Sequence, residues 1–168
     1  MEDLMNHSER LAKIESYGKA HEVLVEALKQ FPKEMWHYKP TPERWSIHET
    51  VIHITDSEAN SFVRGRRFIA EPGKEVLGYD ESGWAVALDY AKRDADETLE
   101  LFKWLRQSSY NLIRTQPEAV WANTVNHSEN GVMTMDDWLD VYDRHVPEHI
   151  EQMREVYKDW AAAVKDER

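Results

Sequence analysis

The chain contains no cysteine in its 168 residues. Disulfides, thiolate metal sites and a cysteine nucleophile are therefore excluded, and any bound metal must take its ligands from His, Asp, Glu and water. Glycine is scarce, at 6 residues, and no glycine-rich phosphate loop, internal repeat or low-complexity segment occurs. No apolar run approaches the roughly 18 residues that span a bilayer. The opening MEDLMNHSERLAKIE is charged and has no apolar stretch of the signal-peptide kind. Positive charge is also in short supply, with 21 Lys and Arg against 32 Asp and Glu, a net charge of −11. That balance opposes a phosphate backbone, and the one compact basic cluster, Arg64, Arg66 and Arg67, is too small to argue for nucleic acid. These absences set the expectation of a soluble cytoplasmic protein with no nucleic-acid or membrane partner.

Apolar residues supply 41% of the chain, with 7 Trp and 7 Tyr, a composition able to bury a core within one domain spanning residues 1–168. Four helical patterns and no convincing strand emerge. The first covers about Ser8 to Gln30, with Leu11, Ile14, Tyr17, His21, Leu24, Val25 and Leu28 at helical spacing. The second covers Ile47 to Ala70 and opens on a capping box, Ser46 with Glu49. The third runs from about Trp84 to Gln116, capped by Ser82, on a stripe of Trp84, Leu88, Ala91, Ala95, Leu99, Phe102 and Leu105. Residues 118–133 read as loop. Thr134, with Asp137 at the box position, caps a fourth helix reaching about Val164. Four such helices predict an all-α four-helix bundle, and the long connections leave room for a non-simple topology.

The apolar stripe of the fourth helix is Trp138, Tyr142, His145, His149, Met153, Val156 and Trp160. Two histidines four apart share one face, where one divalent cation can take a nitrogen from each. They can equally be core histidines bonded to Tyr, Ser or backbone groups. Pro147 between them reads either as a tolerated kink or as a local bend at a site. His53, midway along the second helix, shares its face with Thr50, Ser57, Asn60 and Arg64, a polar stripe that is one wall of a pocket or a solvated face. His48 and His53 are five apart, differ by about 140° around a helix and cannot share a metal. His145-Val-Pro-Glu-His149 matches the inverted zincin pattern formally, but the 19 residues that follow continue the same helix and supply no further ligand. His7, His21, His37, His48 and His127 read most simply as surface or core residues.

The second helix reads WSIHETVIHITDSEANSFVRGRRF, the fourth carries WLDVYDRHVPEHIEQM, and YDESGWAVALDYA lies between them. Together, in this order, they resemble the DinB/YfiT-like superfamily of metalloenzymes, the YfiT branch in particular. In that branch a tryptophan-started helix has a histidine just before an Asp-Ser pair, and HxxxH follows late in the chain. The resemblance implies a four-helix bundle holding one divalent metal per chain, zinc or nickel, through His53, His145 and His149. Two departures stand out: Ile52 and Glu58 occupy positions where that branch often has histidine, so a specific activity does not carry over.

The resemblance implies an enzyme whose metal activates a bound water for hydrolysis, or a low-molecular-weight thiol such as bacillithiol for S-transfer to an electrophile. Asp56 and Glu148 are candidate acid/base groups or partners of the ligating histidines, and read equally well as structural carboxylates. Trp45, Asn60, Arg64 and Tyr142 are candidate substrate contacts for a small molecule. Aromatic content and the resemblance also suggest a homodimer. A non-catalytic, stress-related metal- or ligand-binding bundle and a purely structural helical protein are the competing readings.

Overall fold

In the computed structural model, which describes residues 5–166, the bundle is built from α1 (His7–Gly18), α2 (Ala20–Leu28), α3 (Ile47–Ala70), α4 (Glu81–Ala87), α5 (Ala95–Ile113) and α6 (Met135–Asp166). Expectations about the first four residues and the last two lie outside this range. The α1–α2 arm and α3 each pack against α5 and α6. The arm and α3 are therefore diagonal although consecutive, and the topology is not simple up-and-down. That order sets α3 beside α6, the two helices that carry the three singled-out histidines.

The helix starts with the clearest caps fall where the sequence put them. The Ser46 hydroxyl accepts from Glu49 N–H at 3.1 Å, and the Glu49 carboxylate accepts from Ser46 N–H at 2.9 Å. Thr134 and Asp137 repeat the arrangement ahead of α6. Pro147 lies within α6, and the helix continues through it. Its missing N–H leaves the Asp143 carbonyl without its usual intrahelical donor.

Three expectations need correction. The first pattern is two helices that break at Lys19, whose N–H bonds Ser16 O. The break follows Gly18, where an added Cβ would lie 2.6 Å from the Tyr110 ring. The third pattern is also interrupted. Asp80, not Ser82, caps α4, and Asp89 adopts a left-handed φ of 50°. A 3-10 turn over Tyr90–Lys92 follows, and Asp94 then caps α5 through the N–H groups of Asp96 and Glu97. Two strong Asp caps outcompete a continuous helix, so Trp84, Leu88 and Ala91 are exposed while Ala85 and Tyr90 are buried.

The third correction is a small sheet. Strand β1 (Glu75–Val76) pairs in parallel with β2 (Thr124–His127), which pairs antiparallel with β3 (Gly131–Thr134). Residues expected as loop thus form a hairpin, with Val125 opposite Met133 and Gly131 at φ 73°. Asn130-Gly131 is a strong short-range hairpin signal.

The core has two large apolar clusters, beside a small third one of Ile52, Ala85 and Tyr90. One apolar cluster holds Leu24, Met35, Ile54, Phe102, Val146 and Met153; the other holds Tyr17, Phe68, Ile113, Val125, Trp138 and Tyr142. Gly65 lets α3 approach α6 in the second, since its added Cβ would meet the Trp138 ring at 2.9 Å. Between the clusters runs a buried polar band. Arg106 donates to Glu58 at 2.6 Å, the Tyr17 hydroxyl donates to the same carboxylate at 2.8 Å, and Arg106 also bonds Tyr17 O. Burial pushes the Glu58 carboxyl up, against the Arg106 guanidinium, which pulls it down. The three-histidine cluster lies along the same band.

Candidate metal centre

His53 projects from the first half of α3, and His145 and His149 lie one turn apart on α6. Their ring centroids are 5.4 Å (His53–His145), 4.8 Å (His53–His149) and 4.5 Å (His145–His149) apart. One nitrogen from each can be chosen so that all three lie within 4.8 Å of one another. Three nitrogens on a tetrahedral zinc are about 3.4 Å apart, as bond lengths near 2.0–2.1 Å require. Small ring rotations would bring the three nitrogens to that spacing.

The hydrogen bonding fits a cation. His53 is 1% exposed, and neither of its ring nitrogens has a hydrogen-bond partner. Such a buried imidazole costs free energy unless something else satisfies it. The Gln152 carboxamide oxygen lies 2.8 Å from His149 Nδ1. That oxygen only accepts, so Nδ1 carries the proton and Nε2 turns a lone pair toward His145 Nε2, 3.1 Å away. Two such nitrogens share a proton or converge on a cation.

The electrostatics point the same way. Burial and the neighbouring His149 push His53 down to about 3. Burial also lowers His145 strongly, helped by the other two histidines, and lowers His149. All three are neutral at physiological pH, the form that ligates metal.

The structure distributes the other candidate residues unevenly. The Trp45 ring packs against His53, centroids 4.4 Å apart and planes tilted by 44°, and forms one side of the cluster. Tyr142 is buried, its ring 5.9 Å from that of His145, and its hydroxyl accepts from Arg64 at 3.0 Å. Asn60 and Arg64 line a groove further along α3, where Asn60 donates to Asp56 O. The Asp56 carboxylate accepts from the Tyr90 hydroxyl at 2.6 Å. Glu148 is exposed and paired with Arg144 at 2.8 Å, on the solvent side of α6.

Sequence reasoning missed two residues here. Gln152 follows His149 by three positions, and helical adjacency was the available signal. Glu81, the first residue of α4, brings a carboxylate oxygen to 3.9 Å from His53 Nε2. Among the described residues no Lys or Arg is within ion-pair distance of it. Burial and Glu129 push its carboxyl up, and Arg64 opposes them. Of the remaining histidines, His48 bonds the Arg93 carbonyl at 2.9 Å and packs against the His37 ring. The Nδ1 of His127 accepts two N–H bonds within the hairpin turn.

A helical bundle that brings three histidines together from neighbouring helices is a bundle with a candidate metal site. The DinB superfamily model matches residues 17–153, and the chain belongs to that superfamily. Among its relatives is a protein of Bacillus mycoides, 30% identical over 121 residues, which cover 68% of this chain and 69% of that one. Another is YfiT of Bacillus subtilis, 27% identical over 120 residues, or 69% of this chain and 67% of that one. Both bear the name "Putative metal-dependent hydrolase". The solved structure of Bacillus subtilis YfiT, described as having an unusual four-helix bundle topology, superposes with a TM-score of 0.86 at 20% identity. The match covers 96% of this chain and 92% of that structure. It confirms the DinB/YfiT-like bundle. No helix of the described residues is long and apolar enough to cross a membrane.

Proposed function

We propose that the chain is a metal-dependent enzyme in which His53, His145 and His149 hold one zinc or nickel ion. The substrate is a small molecule, and the reaction is hydrolysis or S-transfer from a low-molecular-weight thiol. The observation that carries this reading is the buried His53 imidazole, both nitrogens unsatisfied, beside two histidines whose nitrogens converge on it. When bound, the cation supplies a Lewis acid that lowers the pKa of a water or thiol toward neutrality. Three protein ligands leave a coordination position open.

The chain's own residues supply the rest. Gln152 fixes the His149 tautomer through Nδ1. The Trp45 ring packs against His53 and limits water there. Glu81 Oε2 receives the proton that the attacking water or thiol releases. Its carboxylate is the one closest to the cluster, and no cation ties it down. Asp56, held by Tyr90, and Glu148, held by Arg144, are engaged elsewhere. A carboxylate available for proton transfer favours catalysis over mere metal storage.

The test is metal content by elemental mass spectrometry on protein purified without a His-tag. The expected result is near one zinc or nickel per chain, lost in a His145→Ala, His149→Ala double variant. Wild-type protein that stays metal-free after both metals are offered would overturn the reading. Loaded protein assayed with thiols plus an electrophile, and separately with ester and amide substrates, distinguishes S-transfer from hydrolysis.

A further inference from the structure

A groove of about 550 Å³ lies along α3, within the range typical of small-molecule sites. Its floor includes Asn60, Val63, Arg64 and Arg67; its far wall includes Leu77 and Trp84. Relative to His53 these four floor positions are 7, 10, 11 and 14 residues on. At about 100° per residue, Asn60, Arg64 and Arg67 fall within about 40° of the His53 direction. Arg64 lies about 16 Å along the axis from His53, and Arg67 about 21 Å. The groove thus continues the histidine face of the helix.

Its chemistry is two-fold. Val63 (51% exposed), Leu77 (72%) and Trp84 (36%) offer apolar surface to solvent. Arg64 is held by neutral acceptors, the Tyr142 hydroxyl and the Leu77 carbonyl. Arg67 donates to the Glu75 carbonyl at 3.1 Å, and its one carboxylate neighbour, Glu71, is 3.7 Å away and half exposed. In a chain of net charge −11, Arg64 forms no ion pair among the described residues. Glu75 is the one carboxylate residue on the lining. The guanidinium of Arg64 is therefore oriented by its neutral partners beside an apolar trough, and the nearby Glu81 carboxyl feels its charge without pairing with it. Nearby, the buried Tyr79 hydroxyl has no hydrogen-bond partner, and the Tyr79 ring packs tilted against Trp84, centroids 4.5 Å apart.

We propose that this groove binds an elongated amphipathic anion. Its carboxylate or phosphate would engage Arg64 and Arg67, and its apolar body would lie along Val63, Leu77 and Trp84. The Tyr142 hydroxyl bonded to Arg64 links this end of the ligand to the histidine cluster, 5.9 Å away ring to ring. Calling the ligand a substrate rests on the metal-enzyme reading; its binding does not.

The experiment is calorimetric titration of metal-free wild-type protein with decanoate, decyl phosphate, decanol and decylammonium, each below its micelle concentration. At least one of the two anions is expected to bind roughly tenfold or more tightly than the alcohol or the amine, the margin a charge-assisted bond supplies. Whichever anion binds more tightly identifies the headgroup as carboxylate or phosphate. Arg64→Gln should weaken that anion roughly tenfold. Val63→Glu, at an exposed position, should abolish its binding without disturbing the fold, and guards against an unstable Arg64 variant. Binding should persist in the His145→Ala, His149→Ala protein. Equal binding of all four probes, no binding of either anion, or indifference to both groove substitutions would overturn the proposal. Each of those results leaves metal content, and with it the enzyme reading, untouched.

Discussion

The His149 Nδ1–H donates to the Gln152 carboxamide oxygen at 2.8 Å, and the His149 Nε2 lone pair is thereby aimed at the site. Gln152→Leu should remove that orientation and weaken zinc binding about 10–100-fold, the usual cost of losing such a partner. Competition with a chromogenic chelator measures it. Gln152→Glu, which still accepts from Nδ1, should restore most of the affinity. Unchanged affinity in Gln152→Leu would show that the tautomer is set otherwise.

Glu81 and Glu148 make opposite predictions. Glu81→Gln should lower kcat about 10²–10⁴-fold while zinc content stays near the wild-type value. It should also flatten the acidic limb of the pH–rate profile. Glu148→Gln, on the solvent side of α6, should leave the rate unchanged. If the Glu148 variant is the one that fails, the proton acceptor has been misassigned.

The Glu58–Arg106 pair is a structural determinant with neither side chain more than 1% exposed. Arg106→Met leaves a buried carboxylate without its partner and should cost about 3–5 kcal/mol in chemical denaturation. Glu58→Leu combined with Arg106→Met removes both charges and should recover most of that loss. Equal destabilisation of the single and double variants would mean that packing, not charge pairing, governs this band.

Metal-free protein should be acid-sensitive in a defined window. The folded pKa of His53 is depressed to about 3 from an ordinary value of 6.5, so the unfolded chain binds more protons between those values. The stability His53 supplies is complete above about pH 6.5 and is lost as pH falls toward 3. The slope is about 1.4 kcal/mol per pH unit from His53 alone. His145 and His149 shift in the same direction and steepen it. Thermal melts of the metal-free protein between pH 5 and 7.5 should show the decline, and bound zinc should reduce it across that range.

What the sequence disclosed depended on how local the cause was. The start of α3 was legible because Ser46 and Glu49 cap each other over three residues. The three histidines were legible because helical spacing fixes His145 against His149, and the resemblance added His53. The interruption between α4 and α5 was not. Its stripe of Trp84, Leu88 and Ala91 has helical period, yet Asp89 turns left-handed and Tyr90 reaches across to Asp56. The hairpin's strands are short, and pairing with Glu75–Val76, some fifty residues earlier, completes the sheet. Glu58, Arg106 and Tyr17 come from three elements, and no spacing rule relates them. Glu81 reaches the cluster only because α4 folds back over α3.

The two large apolar clusters are joined at a seam, and His53 and His145 meet along it from positions 92 residues apart. A cation bridging them would close that loop much as a disulfide does, restricting the unfolded chain by about 4–5 kcal/mol on a loop-entropy account. In a protein without a single cysteine, occupancy of the centre would then govern the lifetime of the fold as well as its chemistry. Chelation would act as reduction does on a disulfide-linked domain, loosening the seam between the two large clusters of the core.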